Sequence, residues 1–243
     1  MPGGKRDSSH SARRTPGPAC VTPELFRFLA ALRRNNNRQW FERNKPRYLT
    51  VVREPLQDFI EAFGPRLGKI SPHLVADPRA NGGSLFRIYR DTRFARDKTP
   101  YKTHAGIQFR HALGKDVHAP GLYLHLEPGN VFAAVGLWHP VSDSLRAIRS
   151  AIVAHPERWT RAIRDPRFRR AFRLEGDRLT RPPRGFDPDH ALVEDLKRKD
   201  FIAVADLTEE EACAPGFIDK FARLCARSDP FMKFLTTAVG LRW

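Results

Sequence analysis

Seven side chains in the stretch FRIYRDTRFARDKTPYKTH, Phe86 to His104, could together hold an anion: Arg87, Tyr89, Arg90, Arg93, Lys98, Tyr101 and Lys102. Guanidinium forks bind phosphate or carboxylate through paired hydrogen bonds, and ammonium groups act as compact point charges. Tyr89 and Tyr101 add ring faces for stacking, and Thr92, Thr99 and Thr103 add hydroxyl donors. The sharpest expectation is that Arg93, Lys98 and Lys102 converge on one anion, with His125 nearby. Asp91 and Asp97 stand among these bases, however. The stretch therefore also reads as a surface loop held by its own ion pairs, each worth only about 0–1 kcal/mol.

A second set lies in GLYLHLEPG, Gly121 to Gly129. Strand alternation puts Tyr123, His125 and Glu127 on one side. A His and a Glu two residues apart on a strand can share a hydrogen bond, which orients a general base. Neighbouring strands offer His104, Gln108, Arg110, Arg87 and Tyr89 for a polar side. Ala133, Ala134 and Gly136 leave room for a ligand, whichever face they line. As an enzyme, the chain would use His125 or His104 as acid/base, Glu127 as orienter, and Arg93, Lys98 and Lys102 as charge clamp. The pair could also bind a metal, but the sequence fixes no third ligand, so no metal or cofactor is assigned. The plainer account is a sheet with one solvated face.

Three further patterns carry less. His104, His111, His118 and His125 recur every seven residues, but Gly114 and Pro120 interrupt them, so no single helix carries the repeat. In RPPRGFDPDH, Arg181 to His190, the cluster Asp187, Asp189 and His190 could ligate a cation. Asp187-Pro188 also reads as an N-cap with proline at the first helical position, which explains Asp187 more simply. A row of arginines (146, 149, 158, 161, 164, 167, 169, 170 and 173) faces only Glu157 and Asp165. Such a ridge could follow a nucleic-acid backbone, or be a solvated helical face. Nothing matches a P-loop, a dinucleotide fingerprint, a nucleophile elbow or a zinc-protease helix.

The 243 residues carry a formal net charge of +16. Such a balance favours polyanions or phosphorylated ligands, although a genome rich in Arg codons would give it too. Three cysteines, Cys20, Cys213 and Cys225, form no C-x-x-C pair, which argues against a disulfide framework or zinc knuckle and for a reduced, cytoplasmic protein. No secretory signal is visible, and the longest apolar run, Val131 to Trp138, is too short to span a membrane. Residues 1–21, rich in Ser, Arg, Gly and Pro, read as a disordered basic tail before a single domain over 22–243.

Helical stripes run through Phe26, Leu29 and Leu32, then Trp40 and Phe41, then Leu49 to Phe63. Pro46 is expected to open the third helix, and Pro55 to kink it. Period-two alternation then marks strands at Phe86–Ile88, Ala105–Phe109, Leu122–Leu126 and Val131–Trp138. The rest is mainly helical, with a further strand at Phe201–Ala205. The expected fold is α+β: an antiparallel sheet of about four or five strands packed against N-terminal and C-terminal helices.

Four motifs in order, NNNRQWFERNKPRY (Asn35 to Tyr48), FRIYRDTRFARDKTPYKTH, GLYLHLEPG and RPPRGFDPDH, resemble a family of conserved hypothetical proteins of bacteria and fungi. It is number 2461 in the series of domains of unknown function. The resemblance spans about residues 23–238 and implies one full-length domain; it brings no reaction or residue roles. The residues themselves point to an anionic, phosphate-bearing ligand bound by the basic loop and a polar sheet face, with acid/base chemistry as an extension. A nucleic-acid-associated module using the arginine ridge is the alternative from another class, and a structural or partner-binding protein is the third.

Overall fold

The computed structural model describes residues 20–114 and 119–243. The expected tail lies outside these residues except at its end, and there the boundary moves: Val21 is buried and Cys20 packs against the core. His118 also lies outside them.

Helix α1 (Pro23–Arg34) has proline in its first turn and buries Leu25, Phe26, Phe28, Leu29 and Leu32. In α2 (Arg38–Tyr48) the Asn37 side chain caps by accepting the Trp40 N–H at 2.9 Å. Pro46 does not open a helix but lies inside α2. The break comes later, as a π turn over Leu49–Arg53 that leads into α3 (Glu54–Ile70). Pro55 explains it. Its ring crowds the carbonyl four residues back, and one wider turn, with Glu54 N–H donating to the Leu49 carbonyl, relieves that contact.

Five strands form one antiparallel sheet among the described residues: β1 (Ala105–Arg110), β2 (Gly121–Glu127), β3 (Asn130–Leu137), β4 (Arg173–Glu175) and β5 (Phe201–Leu207), in the order β1-β2-β3-β5-β4. The expected strand at Phe86–Ile88 is not regular. That segment follows β1 through the Leu85–Ile107 bridge and the 2.9 Å bond from Phe86 N–H to the Gly106 carbonyl, then closes on itself at the Tyr89–Tyr101 bridge. Its charged continuation pairs within the loop, not with a strand. The edge strand β4 goes beyond the sequence reading, because three residues are too few for alternation to show.

The sheet's two faces differ. On one, Ile107, Phe109, Leu122, Leu124, Leu126, Ala133, Val135, Phe201 and Ala203 are fully or almost fully buried. They meet α3 and α9 (Phe217–Ala226), where Phe63 lies 4.7 Å from Phe109, and α5 (Pro156–Arg164), where Trp159 lies 5.8 Å from Phe201. Helices α4 (Ser142–Ala154), α8 (Glu209–Cys213) and α10 (Asp229–Ala238) complete this core, with short turns α6 (Pro166–Arg169) and α7 (Val193–Leu196) between strands. The opposite face carries a hollow.

Candidate functional site

Strand register builds the floor of the hollow from cross-strand rows. One row reads Gly106, His125, Phe132, Asp206; the next Gln108, Tyr123, Ala134, Val204, Arg173; the third Arg110, Gly121, Gly136, Ile202, Glu175. Small residues in the middle leave a cavity of about 530 Å³, walled by Phe86, Lys102 and His104 on one side and by Trp138 on another. Gly136 has φ +119°, and a Cβ there would stand 2.0 Å from the Phe201 carbonyl oxygen, so only glycine fits. Gly106 serves differently: a Cβ would meet the Tyr123 hydroxyl at 2.6 Å, so its absence lets Tyr123 reach across.

That reach creates the polar corner. The Tyr123 hydroxyl lies 2.9 Å from His125 Nδ1, and His125 Nε2 lies 3.4 Å from Glu127 Oε2. Thr103 donates to Glu127 Oε1 at 2.8 Å. His125 is sandwiched between Phe132, stacked at 4.5 Å, and the His104 ring, also at 4.5 Å. Burial, with the neighbouring His125 adding to it, pushes His104 down to about 4. Burial also lowers His125, against the pull of Glu127, so both rings are neutral near pH 7. For Glu127, burial alone would raise the carboxyl, but hydrogen bonds from Thr103 and His125 outweigh it and leave the value lowered. Burial raises the Tyr123 hydroxyl, which stays protonated. Both nitrogens of His125 are engaged, so His104 is the imidazole that faces the cavity.

Beside this corner, Lys102 is half-buried with its ammonium 5.2 Å from the Phe86 ring. Burial, then the charge of Arg87, lowers its pKa. It makes no ion pair among the described residues. At the opposite end, Arg173 Nη2 donates to Asp206 Oδ1 at 2.8 Å, and Arg173 Nε to Glu175 Oε1 at 2.5 Å.

Of the seven expected ligand-binding residues, Lys102 alone lines this cavity. Arg93 forks onto Asp91, at 2.7 Å and 3.0 Å, and is highly exposed. Arg90 hydrogen-bonds Asp97 and Thr99. Lys98 Nζ donates to the Thr92 carbonyl at 2.9 Å. The convergence expected of Arg93, Lys98 and Lys102 is therefore absent, because Arg93 and Lys98 find partners within the loop. Tyr101 is a core residue, buried and stacked at 4.1 Å on Phe41, with its backbone held at both groups by the Asn36 amide. Tyr89 is partly exposed against Phe41, and Arg87 is exposed.

Of the remaining candidates, Arg173 alone lines the cavity. Asp187 caps no helix: it accepts the Asp189 N–H at 2.9 Å in a tight turn, and α7 begins only at Val193. The arginine row is broken, since Arg149 turns inward to the Arg198 carbonyl at 2.9 Å and Arg173 belongs to the sheet edge. Cys225 is buried, and Cys20 and Cys213 are half-buried thiols. Among the described residues no helix is long and apolar enough to cross a membrane.

Sequence reasoning missed Phe132, Trp138 and the Arg173–Glu175–Asp206 cluster as cavity residues. The alternation of β3 carried a signal for the first two, but their partners depend on register. It also missed Asp200, which is buried and accepts the backbone N–H of His139 at 2.7 Å and of Asp177 at 3.1 Å. Asp200 thereby fixes the corner after Trp138, where His139 takes a positive φ of 46°.

No curated protein matches the sequence. The model of the family described as Conserved hypothetical protein (DUF2461) matches residues 24–234, which takes in both helical flanks, the sheet and the cavity, and the chain belongs to that family.

Proposed function

We propose that the cavity on the open sheet face binds a small amphipathic ligand with a phosphate or other anionic head. The observation that carries this reading is Lys102: a half-buried cation with no ion-pair partner among the described residues, at the wall of a cavity with an apolar floor. Burying an uncompensated ammonium is costly, and an anionic head would offset that cost with a charge-assisted hydrogen bond. Phe132, Ala134, Ile202 and Val204 would take the apolar body. Pockets of this kind, mostly apolar with a few convergent polar groups, are typical of small-molecule sites.

Phenyl phosphate is a suitable probe, having one ring and one phosphate. At a hundred times its dissociation constant it should stabilise the protein by about 2.7 kcal/mol, read as a rise in melting temperature. Ala134→Trp fills the floor and should abolish the shift. A shift of equal size in that variant, or none in the unmodified protein, removes the cavity as the binding site.

A further inference from the structure

We propose that His104, His125 and Glu127 form a binding site for one divalent transition-metal ion. Their ligand atoms all lie within 4.8 Å of one another, the one such trio of His, Cys, Asp or Glu side chains among the described residues. Two histidines and one carboxylate are a known donor set for zinc and for iron(II) sites that keep open positions.

The geometry is close to what an ion requires. Ligand bonds of about 2.0–2.2 Å in a tetrahedral arrangement put donor atoms about 3.3–3.6 Å apart. The His125 Nε2 to Glu127 Oε2 separation is already 3.4 Å. This is long for a hydrogen bond to a carboxylate but right for two donors sharing an ion. His104 has to close by at most about 1.5 Å to join them, within reach of a side-chain adjustment on the segment before β1.

The supporting groups fit as well. A histidine that binds metal through Nε2 carries its proton on Nδ1 and donates it to a fixed acceptor. In this chain the group facing Nδ1 is the Tyr123 hydroxyl, 2.9 Å away, which accepts that proton once Nε2 gives up Glu127 for the ion. The Thr103 hydroxyl occupies Oε1 of Glu127 and leaves Oε2 for the ion. His104 lines the cavity, so positions not filled by the protein open toward it. Lys102 nearby disfavours a bare dication, and an anionic head between them would offset both charges. That anionic head belongs to the ligand-binding reading; the metal trio does not depend on it.

The test is titration of the metal-stripped full chain with zinc(II), and with cobalt(II) read by its visible absorption. One equivalent should bind. His104→Ala and His125→Ala should each weaken binding more than a hundredfold, and Glu127→Gln at least tenfold. Tyr123→Phe should weaken it about tenfold while keeping the cobalt spectrum, as expected of a positioning residue. Should either alanine variant fail to fold by circular dichroism, Glu127→Gln and Tyr123→Phe decide. No bound equivalent, or one that persists undiminished in these variants, overturns the proposal. Ala134→Trp should keep the metal. Zinc binding without phenyl phosphate binding removes the cavity reading alone, and the converse removes the metal site alone.

Discussion

Two charged regions, a few residues apart in sequence, have opposite characters. The loop from Arg90 to Thr99 is largely exposed, and three of its four bases are satisfied at short range: Arg90 by Asp97 and Thr99, Arg93 by Asp91, Lys98 by the Thr92 carbonyl, while Arg96 stands in solvent. The corner formed by Lys102, His104, His125 and Glu127 has fewer charges, but its groups are partly desolvated, and Lys102 and His104 face the cavity. Charge density alone points to the loop, whereas desolvation points to the corner. What distinguishes a place that can bind is polar chemistry held out of water without enough local partners, since that state gains most from a ligand.

Ligand affinity provides the largest contrast. Lys102→Ala should weaken phenyl phosphate binding tenfold or more, because a charge-assisted hydrogen bond is worth about 1.5–3 kcal/mol. Arg93→Ala and Lys98→Ala should change it less than about twofold, since their exposed charges act only through screened solvent. Calorimetric titration of the three variants checks this. Equal losses in all three would erase the distinction between loop and corner.

How far this was readable in the sequence depends on the range of each interaction. Helix α1 and strands β1 to β3 were legible, because Phe26, Leu29 and Leu32, or Leu122, Leu124 and Leu126, declare their own period. The His125–Glu127 pair and the likeness to the family were legible for the same local reason. The loop's self-pairing was visible as an alternative, since each acid lies within a few residues of its base. The joining of His104 to His125 was not. It depends on Gly106 pairing with His125 across β1 and β2 and on the absent Cβ that lets Tyr123 lean over. The far end of the floor, from β4 and β5, depends on a strand of three residues that alternation cannot reveal.

Stability should move in opposite directions at the two places, by smaller amounts. Lys102 is held below its ordinary pKa, so the fold disfavours its charged form. Lys102→Met keeps the stem against Phe86, removes that charge, and should raise the melting temperature, by up to about 1 kcal/mol in stability. Arg90→Met removes hydrogen bonds to Asp97 and Thr99 and should lower stability by about 0–1 kcal/mol, the range for part-exposed ion pairs. Thermal unfolding at pH 7 without ligand measures both. A fall in both variants would mean that Lys102 is structural.

The smallest effect lies in the acid range and belongs to the loop alone. Hydrogen bonds from the Arg93 side chain hold Asp91 down to about 2, and hydrogen bonds from Arg90 and Thr99 hold Asp97 down to about 2. A carboxyl lowered in the fold stabilises the folded loop above its unfolded value, near 4, and that contribution is lost as pH falls through the folded value. The loop should therefore keep its closure from neutral pH down to about 4 and lose it between about 4 and 2. The Thr99 amide, which donates to Asp97 Oδ1 at 2.9 Å, reports on this directly. Its chemical shift should stay constant to about pH 4 and then move with a midpoint near 2. In Arg90→Met the midpoint should rise toward the ordinary carboxylate value, because the largest cause of the shift is gone. A midpoint near 4 in the unmodified protein would show that Arg90 is not held by Asp97, and would return the loop's charges to the pool available for an anion.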